Sequence, residues 1–244
     1  MLKQNQVDMK TDKIIYEVRD NIGFLTLNNP SKLNCMGFEL LYGLNDAVEA
    51  INADKNVKVV VLQGAGKRAF STGADLKEFK TLSEDDLKKW IVFGNEIFNK
   101  IETLNKPTIA YINGYSLGGG LELALACDFR IGTTTAVLGS PELEHGWLPG
   151  WGGVTRLRRL IGEKAAKEVV MLNQKLDARE SLQLGLLNRI DNENREQLNL
   201  FTEHLKKLSP RAFEIAKMAL QDENRTTLGS DINFDVLATF ILAR

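Results

Sequence analysis

The sequence predicts a layered α/β core followed by a helical C-terminal region. Three observations carry this. Val57–Leu62 is a nearly continuous β-branched run and Pro107–Asn113 is a second apolar one, the pattern of strands buried on both faces. Segments with apolar residues at helical spacing alternate with such runs to about residue 140. From Val154 onward the pattern is mostly helical. Alternation followed by helices is the signature of a sheet layered with helices, carrying a helical appendage. A chain of 244 residues is long enough to bury a sizeable core within one such domain.

Taken in order, Ile14–Val18 and Gly23–Leu27 read as strands joined at Asp20-Asn21, a hairpin signal. Asn28-Asn29-Pro30-Ser31 is a turn cluster. Phe38–Ile51 carries Leu40, Leu41, Leu44, Ala47, Val48 and Ile51 at helical spacing. Gly64–Asp75 is a glycine-containing loop, and Ser83 with Asp85 and Asp86 opens an amphipathic helix reaching Leu104. Gly114–Gly120 reads as a glycine-rich turn and Leu121–Ala126 as a helix; Phe129–Ile131 and Ala136–Leu138 read as short strands. Glu142–Gly153 is loop-like; Gly162, Gly185 and Pro210 punctuate the helices beyond it, and a short strand falls at Leu187–Ile190.

Composition narrows the function classes. Hydrophobic residues are 43% and charged residues 26%, with a net charge of −1, so no general basic field points to nucleic acid. Cys35 and Cys127 form no C-x-x-C pair and read as small core residues in a reducing compartment. The polar N-terminus lacks the apolar region of a signal peptide, and no stretch approaches the roughly 20 apolar residues of a membrane span. The expectation is a cytoplasmic protein with residues 1–12 as a mobile tail, a core over 13–195 and a helical region over 196–244.

Three segments are candidates for chemistry. Ala69-Phe70-Ser71-Thr72-Gly73-Ala74-Asp75-Leu76 follows a buried strand; its glycine and small residues would let the backbone approach a ligand, although it also reads as an ordinary strand-to-helix loop. Asn113 to Glu122 carries Gly118-Gly119-Gly120 before a helix, where free N–H groups and the helix dipole favour negative charge, although it reads equally as a glycine-rich packing turn. Glu122 lies in the first turn of that helix among apolar neighbours, which suits a buried acid/base group or a dipole-stabilising surface residue. Gly139-Ser140-Pro141 to Gly153 gathers Glu142, Glu144, His145, Trp147 and Trp151 in one short span, a composition common at functional sites and also compatible with a structural surface loop. No metal-ligand spacing and no G-x-S-x-G occur. Gly64-Ala65-Gly66-Lys67-Arg68-Ala69 matches a dinucleotide fingerprint only superficially, because Ala69–Gly73 is a poor helix start and Asp85 and Asp86 look like helix N-terminal acids.

In this order, these segments resemble the crotonase (enoyl-CoA hydratase/isomerase) superfamily, from about Ile14 to about Pro210. The resemblance rests on Asn28–Asn34, Ala69–Leu76, Lys106–Ala110, the triple-glycine segment with Glu122, and Pro141-Glu142 followed by Leu148-Pro149-Gly150. It implies a spiral of ββα units with C-terminal helices that trimerise, giving a homotrimer or a dimer of trimers. It implies an oxyanion hole from the N–H groups of Ala74 and Gly119, and a coenzyme A groove lined by Lys32, Leu33, Ala74, Asp75, Leu76, Lys77, Gly118 and Gly119. Hydratases of the family have two glutamates, which fall here at Glu122 and Glu142. The reaction implied is reversible hydration of a 2-enoyl-CoA. No cofactor or metal is implied, because coenzyme A is part of the acyl-CoA substrate, and neither nucleic acid nor a membrane is an expected partner.

Two rivals stand beside this reading. One is an enoyl-CoA isomerase working with Glu142 alone. The other is a non-catalytic acyl-CoA- or RNA-binding relative whose handle would be a surface cluster of Arg156, Arg158 and Arg159. The sequence also departs from the family pattern at Asn29, Cys35, Leu172-Asn173-Gln174, Glu144 and His145. Family members continue past the position of Arg244 with a basic tail that helps close the coenzyme A site, so contacts from such a tail are not expected within this sequence.

Overall fold

The computed structural model describes residues 5–7, 9–192, 194–221, 236, 238, 239, 241 and 242. The chain opens with β1 (Asn5–Val7), β2 (Ile14–Arg19) and β3 (Ile22–Leu27), the last two turning at Asp20 and Asn21, both of which have positive φ. A 3-10 turn at Pro30–Lys32 leads to α1 (Phe38–Ala53), whose buried residues include all six predicted from its spacing. Next come β4 (Val59–Gly64), β5 (Ala69–Ser71), the single turn α2 (Leu76–Phe79) and α3 (Glu84–Glu102). Ser83 caps α3 by accepting from the Asp86 N–H, with three acids in the first turn, as the sequence signals.

β6 (Thr108–Ile112), β7 (Tyr115–Leu117) and α4 (Gly119–Leu125) follow, then β8 (Phe129–Thr133), β9 (Val137–Gly139) and a 3-10 turn at Glu142–His145. The chain continues with α5 (Gly153–Met171), β10 (Lys175–Asp177), α6 (Ala178–Gln183), β11 (Arg189–Asp191), α7 (Glu196–Leu205) and α8 (Pro210–Gln221). α5 is interrupted at Gly162, whose backbone is non-helical at φ 78°.

Two sheets result. A seven-stranded sheet has the order β1-β2-β3-β4-β6-β8-β11, and a four-stranded sheet the order β10-β9-β7-β5. β3, β4, β6, β8 and β11 run parallel, while β1, β2 and β3 pair antiparallel. The pairs β4-β5, β6-β7 and β8-β9 each place their first strand in the larger sheet and their second in the smaller. A helix or helical turn follows each pair, which is the ββα spiral the resemblance implies.

The β-branched run of β4 is explained by its surroundings. Val60 and Leu62 join the main core with α1 and α3, whereas Val59 and Val61 face a second cluster closed by Leu198 and Leu205 of α7. Both faces of the strand are therefore buried, and the period of two is masked in sequence. The small strands β5, β7 and β10 are not legible: β5 and β7 lie inside stretches that read as glycine-containing loops, and β10 has charged residues on both sides of Leu176. The expected N-terminal tail is also revised: Asn5–Val7 pairs with Tyr16–Val18. Residues 1–4 and 8 of that tail, and residues 222–235 of the expected helical C-terminal region, lie outside the described residues.

Candidate active site

The loop after β5 is fixed before it reaches the cleft. Asn34, buried and left-handed at φ 55°, donates to the carbonyls of Ala65 at 3.0 Å and Ala69 at 2.9 Å. The Ser71 hydroxyl donates to the Asn34 carbonyl at 2.8 Å and accepts from the Gly73 N–H at 3.1 Å. Met36 then makes a parallel bridge to Ala74: its N–H donates to the Gly73 carbonyl at 2.7 Å, and its carbonyl accepts from the Asp75 N–H at 3.0 Å. In that pattern the flanking residues face Met36, so the N–H of Ala74 points to the opposite side, toward the cleft it lines.

Gly73 makes the approach possible. Its φ is 84°, and a Cβ there would lie 2.7 Å from the Gly119 nitrogen and 2.9 Å from the Leu117 carbonyl oxygen. Gly119 opens α4, where the first amides have no intrahelical acceptor. Among the described residues, neither the Ala74 nor the Gly119 N–H has a hydrogen-bond acceptor. Two unpaired amides thus meet on one wall of the cleft, which also contains Gly118.

Glu122, in the first turn of α4, is 4% exposed. One oxygen, Oε1, accepts from the N–H groups of Trp151 and Gly153, each at 2.8 Å. Gly153 begins α5, so the carboxylate sits at the starts of two helices. Burial, followed by the charge of Glu142, pushes its pKa up to about 7 against the lowering effect of the two amides and Arg156. Glu142 is 7% exposed. Its Oε2 accepts from the Ser140 hydroxyl at 2.8 Å, and its buried Oε1 has no partner among the described residues. A Cβ on Gly118 would lie 3.2 Å from that Oε1, so the glycine leaves room at the acid. Burial raises the Glu142 pKa as well, opposed by the Ser140 hydrogen bond.

Facing these groups is an aromatic wall. Trp147 packs on Phe79 with ring centroids 4.3 Å apart, Phe79 on Trp90 at 5.6 Å, and Trp90 on Trp151 at 4.5 Å. All four rings line the same cleft, of about 130 Å³, together with both glutamates, Ala74 and Gly119. His145 also lines it, with its ring 5.5 Å from that of Trp147.

The profile of the enoyl-CoA hydratase/isomerase family matches residues 17–239. This chain belongs to that family. It is 35% identical over 232 residues to a short-chain-enoyl-CoA hydratase of Clostridium acetobutylicum, covering 95% of this chain and 87% of that one. It is 37% identical over 182 residues to a crotonyl-CoA hydratase of Syntrophomonas wolfei, covering 75% of this chain and 70% of that one. Among solved structures, an enoyl-CoA hydratase from Bacillus anthracis superposes with a TM-score of 0.86 at 32% identity, covering 97% of this chain and 90% of that one. DspI of Pseudomonas aeruginosa superposes at 0.90 with 31% identity and the same coverages.

The remaining residues singled out in this family member fall beside the cleft. Lys32 pairs with Asp75 at 2.8 Å, which draws together the two segments expected to line a coenzyme A groove. That hydrogen bond and charge push the Lys32 pKa up. Asp75 in turn caps α2, accepting from the N–H groups of Lys77 at 3.1 Å and Glu78 at 3.4 Å. Leu33 is left-handed at φ 54°, and its carbonyl accepts from the Thr72 N–H at 3.1 Å. Leu76 lines the cleft itself.

Sequence reasoning missed the supports. Asn34, Ser71 and Ser140 were seen only as parts of motifs. The sequence places Arg156 with Arg158 and Arg159 in a surface basic cluster. Arg156 is instead buried, and it bonds to Glu102, Asn99 and the Trp151 carbonyl. That removes Arg156 from the handle that an RNA-binding reading needs. The available signal was its place one turn into a helix that begins at a glycine-rich loop.

Proposed function

We propose that this family member adds water across the double bond of a short-chain 2-enoyl-CoA, reversibly, to give a 3-hydroxyacyl-CoA. The observation that carries the reading is the convergence of two buried glutamates and two unpaired backbone amides on one small cleft. The N–H groups of Ala74 and Gly119 hold the thioester oxygen as it gains enolate charge; in other enzymes, loss of one such donor costs roughly 2.7–4 kcal/mol. Glu122 takes a proton from water as the water oxygen bonds to Cβ. Glu142 gives a proton to Cα, and a proton passed from Glu122 back to Glu142 resets the pair. Carboxyl groups in one apolar cleft can divide these roles, because burial and mutual repulsion lift and separate their pKa values.

The acyl group is short on this reading. A cleft of about 130 Å³ is slightly smaller than an engineered cavity of about 150 Å³ that holds benzene. Lys32, Leu33 and Ala74 to Lys77 would line the approach of the coenzyme A moiety, beside Gly118 and Gly119. The reading includes a homotrimer or dimer of trimers, and a cytoplasmic setting. No helix among the described residues is long and apolar enough to cross a membrane.

An isomerase would need only Glu142. The two amides converging on Glu122 favour the hydratase, because they orient a second carboxylate that an isomerase would leave idle. The test offers the protein crotonyl-CoA and, separately, a 3-enoyl-CoA. Rapid water addition to the first supports the reading; double-bond migration in the second without hydration of the first overturns it.

A further inference from the structure

The carboxylate of Glu122 is held by a turn that is itself held from behind. Trp151 and Gly153 present their N–H groups to one oxygen, Oε1, and Gly152 between them is left-handed at φ 91°. A turn of this kind has little intrinsic rigidity, because glycine is free to leave the left-handed region. What fixes it is the carbonyl of Trp151, which accepts from Arg156 Nη1 at 2.6 Å. Arg156 is 7% exposed. Its Nε and Nη2 bond to Glu102 Oε2 at 2.9 and 2.5 Å, and Nη2 also bonds to Asn99 Oδ1 at 2.8 Å. All three partners are oxygen acceptors, and the fork geometry of guanidinium is needed to reach them together.

Glu102 and Asn99 lie on α3, and the same helix grips the Trp151 ring. Gly94 of α3 lies against the indole, where a Cβ would come within 2.9 Å of Cδ1; Trp90 and Phe98 flank it at 4.5 and 5.1 Å between centroids. α3 therefore holds the peptide of Trp151 by charge and its side chain by packing. The pairing of Arg156 with Glu102 alone would satisfy a structural role. The short bond to the Trp151 carbonyl ties that ion pair to the turn that orients Glu122.

We propose that Arg156 is a positioning residue for Glu122, fixing the Trp151–Gly153 turn so that both amides hold Oε1 and the other carboxylate oxygen, Oε2, meets water. This rests on the hydratase reading. Its charge also acts at a distance, because Arg156 favours the ionised form of Glu122.

The test combines kinetics with a direct titration in the full chain. Arg156→Met should lower kcat for crotonyl-CoA by about tenfold to a hundredfold, less than the roughly 10²–10⁴-fold that general base catalysis supplies because Glu122 is displaced rather than removed, with KM within about twofold. The acid limb of its pH profile should move to higher pH. Arg156→Lys should restore the limb and only part of kcat, because an ammonium cannot span three acceptors. Glu102→Gln, a milder change should Arg156→Met fail to fold, leaves the guanidinium charge uncompensated and should move the limb to lower pH. The titration of Glu122 itself is followed by the infrared carboxyl band that disappears in Glu122→Gln. It should shift upward in Arg156→Met and downward in Glu102→Gln, whatever substrate the enzyme uses. An unshifted Glu122 titration in both folded variants overturns the proposal. So does a fall in activity carried by KM alone. An inactive wild-type protein with the predicted titration shifts would overturn the hydratase reading and leave the positioning role standing.

Discussion

Replacing Glu122 by Gln should make the protein less active and more stable, and the gain should depend on pH. Burial and the charge of Glu142 lift the Glu122 pKa from 4.5 to about 7. A carboxyl whose pKa is raised by folding binds its proton more tightly in the folded than in the unfolded state. Its contribution to stability is therefore full below about pH 4.5 and is lost as pH rises through 7. Each pKa unit is worth about 1.4 kcal/mol, so between pH 5 and pH 8 the wild-type chain loses about 2 to 3 kcal/mol from this group. A glutamine does not ionise, and its carbonyl oxygen can still accept from the Trp151 and Gly153 amides. The gap in Tm between Glu122→Gln and wild type should then widen by about 5–10 °C from pH 5 to pH 8, at about 2–4 °C per kcal/mol for a chain of this size. Differential scanning calorimetry at the two pH values reads it. A gap that stays constant or narrows would refute the reasoning, because it would mean that Glu122 is not strained toward its neutral form.

Two further outcomes follow from the same cleft. Gly73→Ala places a Cβ on a residue at φ 84° and 2.7 Å from the Gly119 nitrogen, so it should displace the two amides proposed as oxyanion donors and cut kcat by about 10²–10³; steady-state rates with circular dichroism as a fold control check this. Trp147→Ala opens the wall at its 4.3 Å contact with Phe79, and should raise kcat/KM for six- to eight-carbon enoyl-CoA substrates relative to crotonyl-CoA; unchanged chain-length preference would place the limit elsewhere.

The parts of the fold that were legible in sequence are those where one residue pattern has one physical solution. The six apolar positions of α1 are all buried, and Ser83 with its acids starts α3 as expected. Of the second sheet only β9 is legible, as the short strand at Ala136–Leu138; β7 lies within a stretch that reads as a glycine turn, and its register depends on partners in β5 and β9. In the cleft, Glu122 was visible as an acid among leucines, but its hydrogen bonds come from residues about thirty positions away, in the turn at Trp151. Likewise, the ring contacts among Phe79, Trp90, Trp147 and Trp151 join three separate segments, which no local pattern announces. Arg156 was misread for the reverse reason, because its neighbours Arg158 and Arg159 are exposed and it is not.

On the hydratase reading, two carboxylates share the proton work of hydration. The most direct measurement compares initial rates of crotonyl-CoA hydration by the wild type, Glu122→Gln and Glu142→Gln, each shown to be folded and to bind the 3-hydroxyacyl-CoA product. Each variant should lose at least about 10²-fold in kcat, the range of general acid–base catalysis. A near-normal rate in either variant would contradict that reading, and full isomerisation of a 3-enoyl-CoA by Glu122→Gln would assign the chemistry to Glu142 alone.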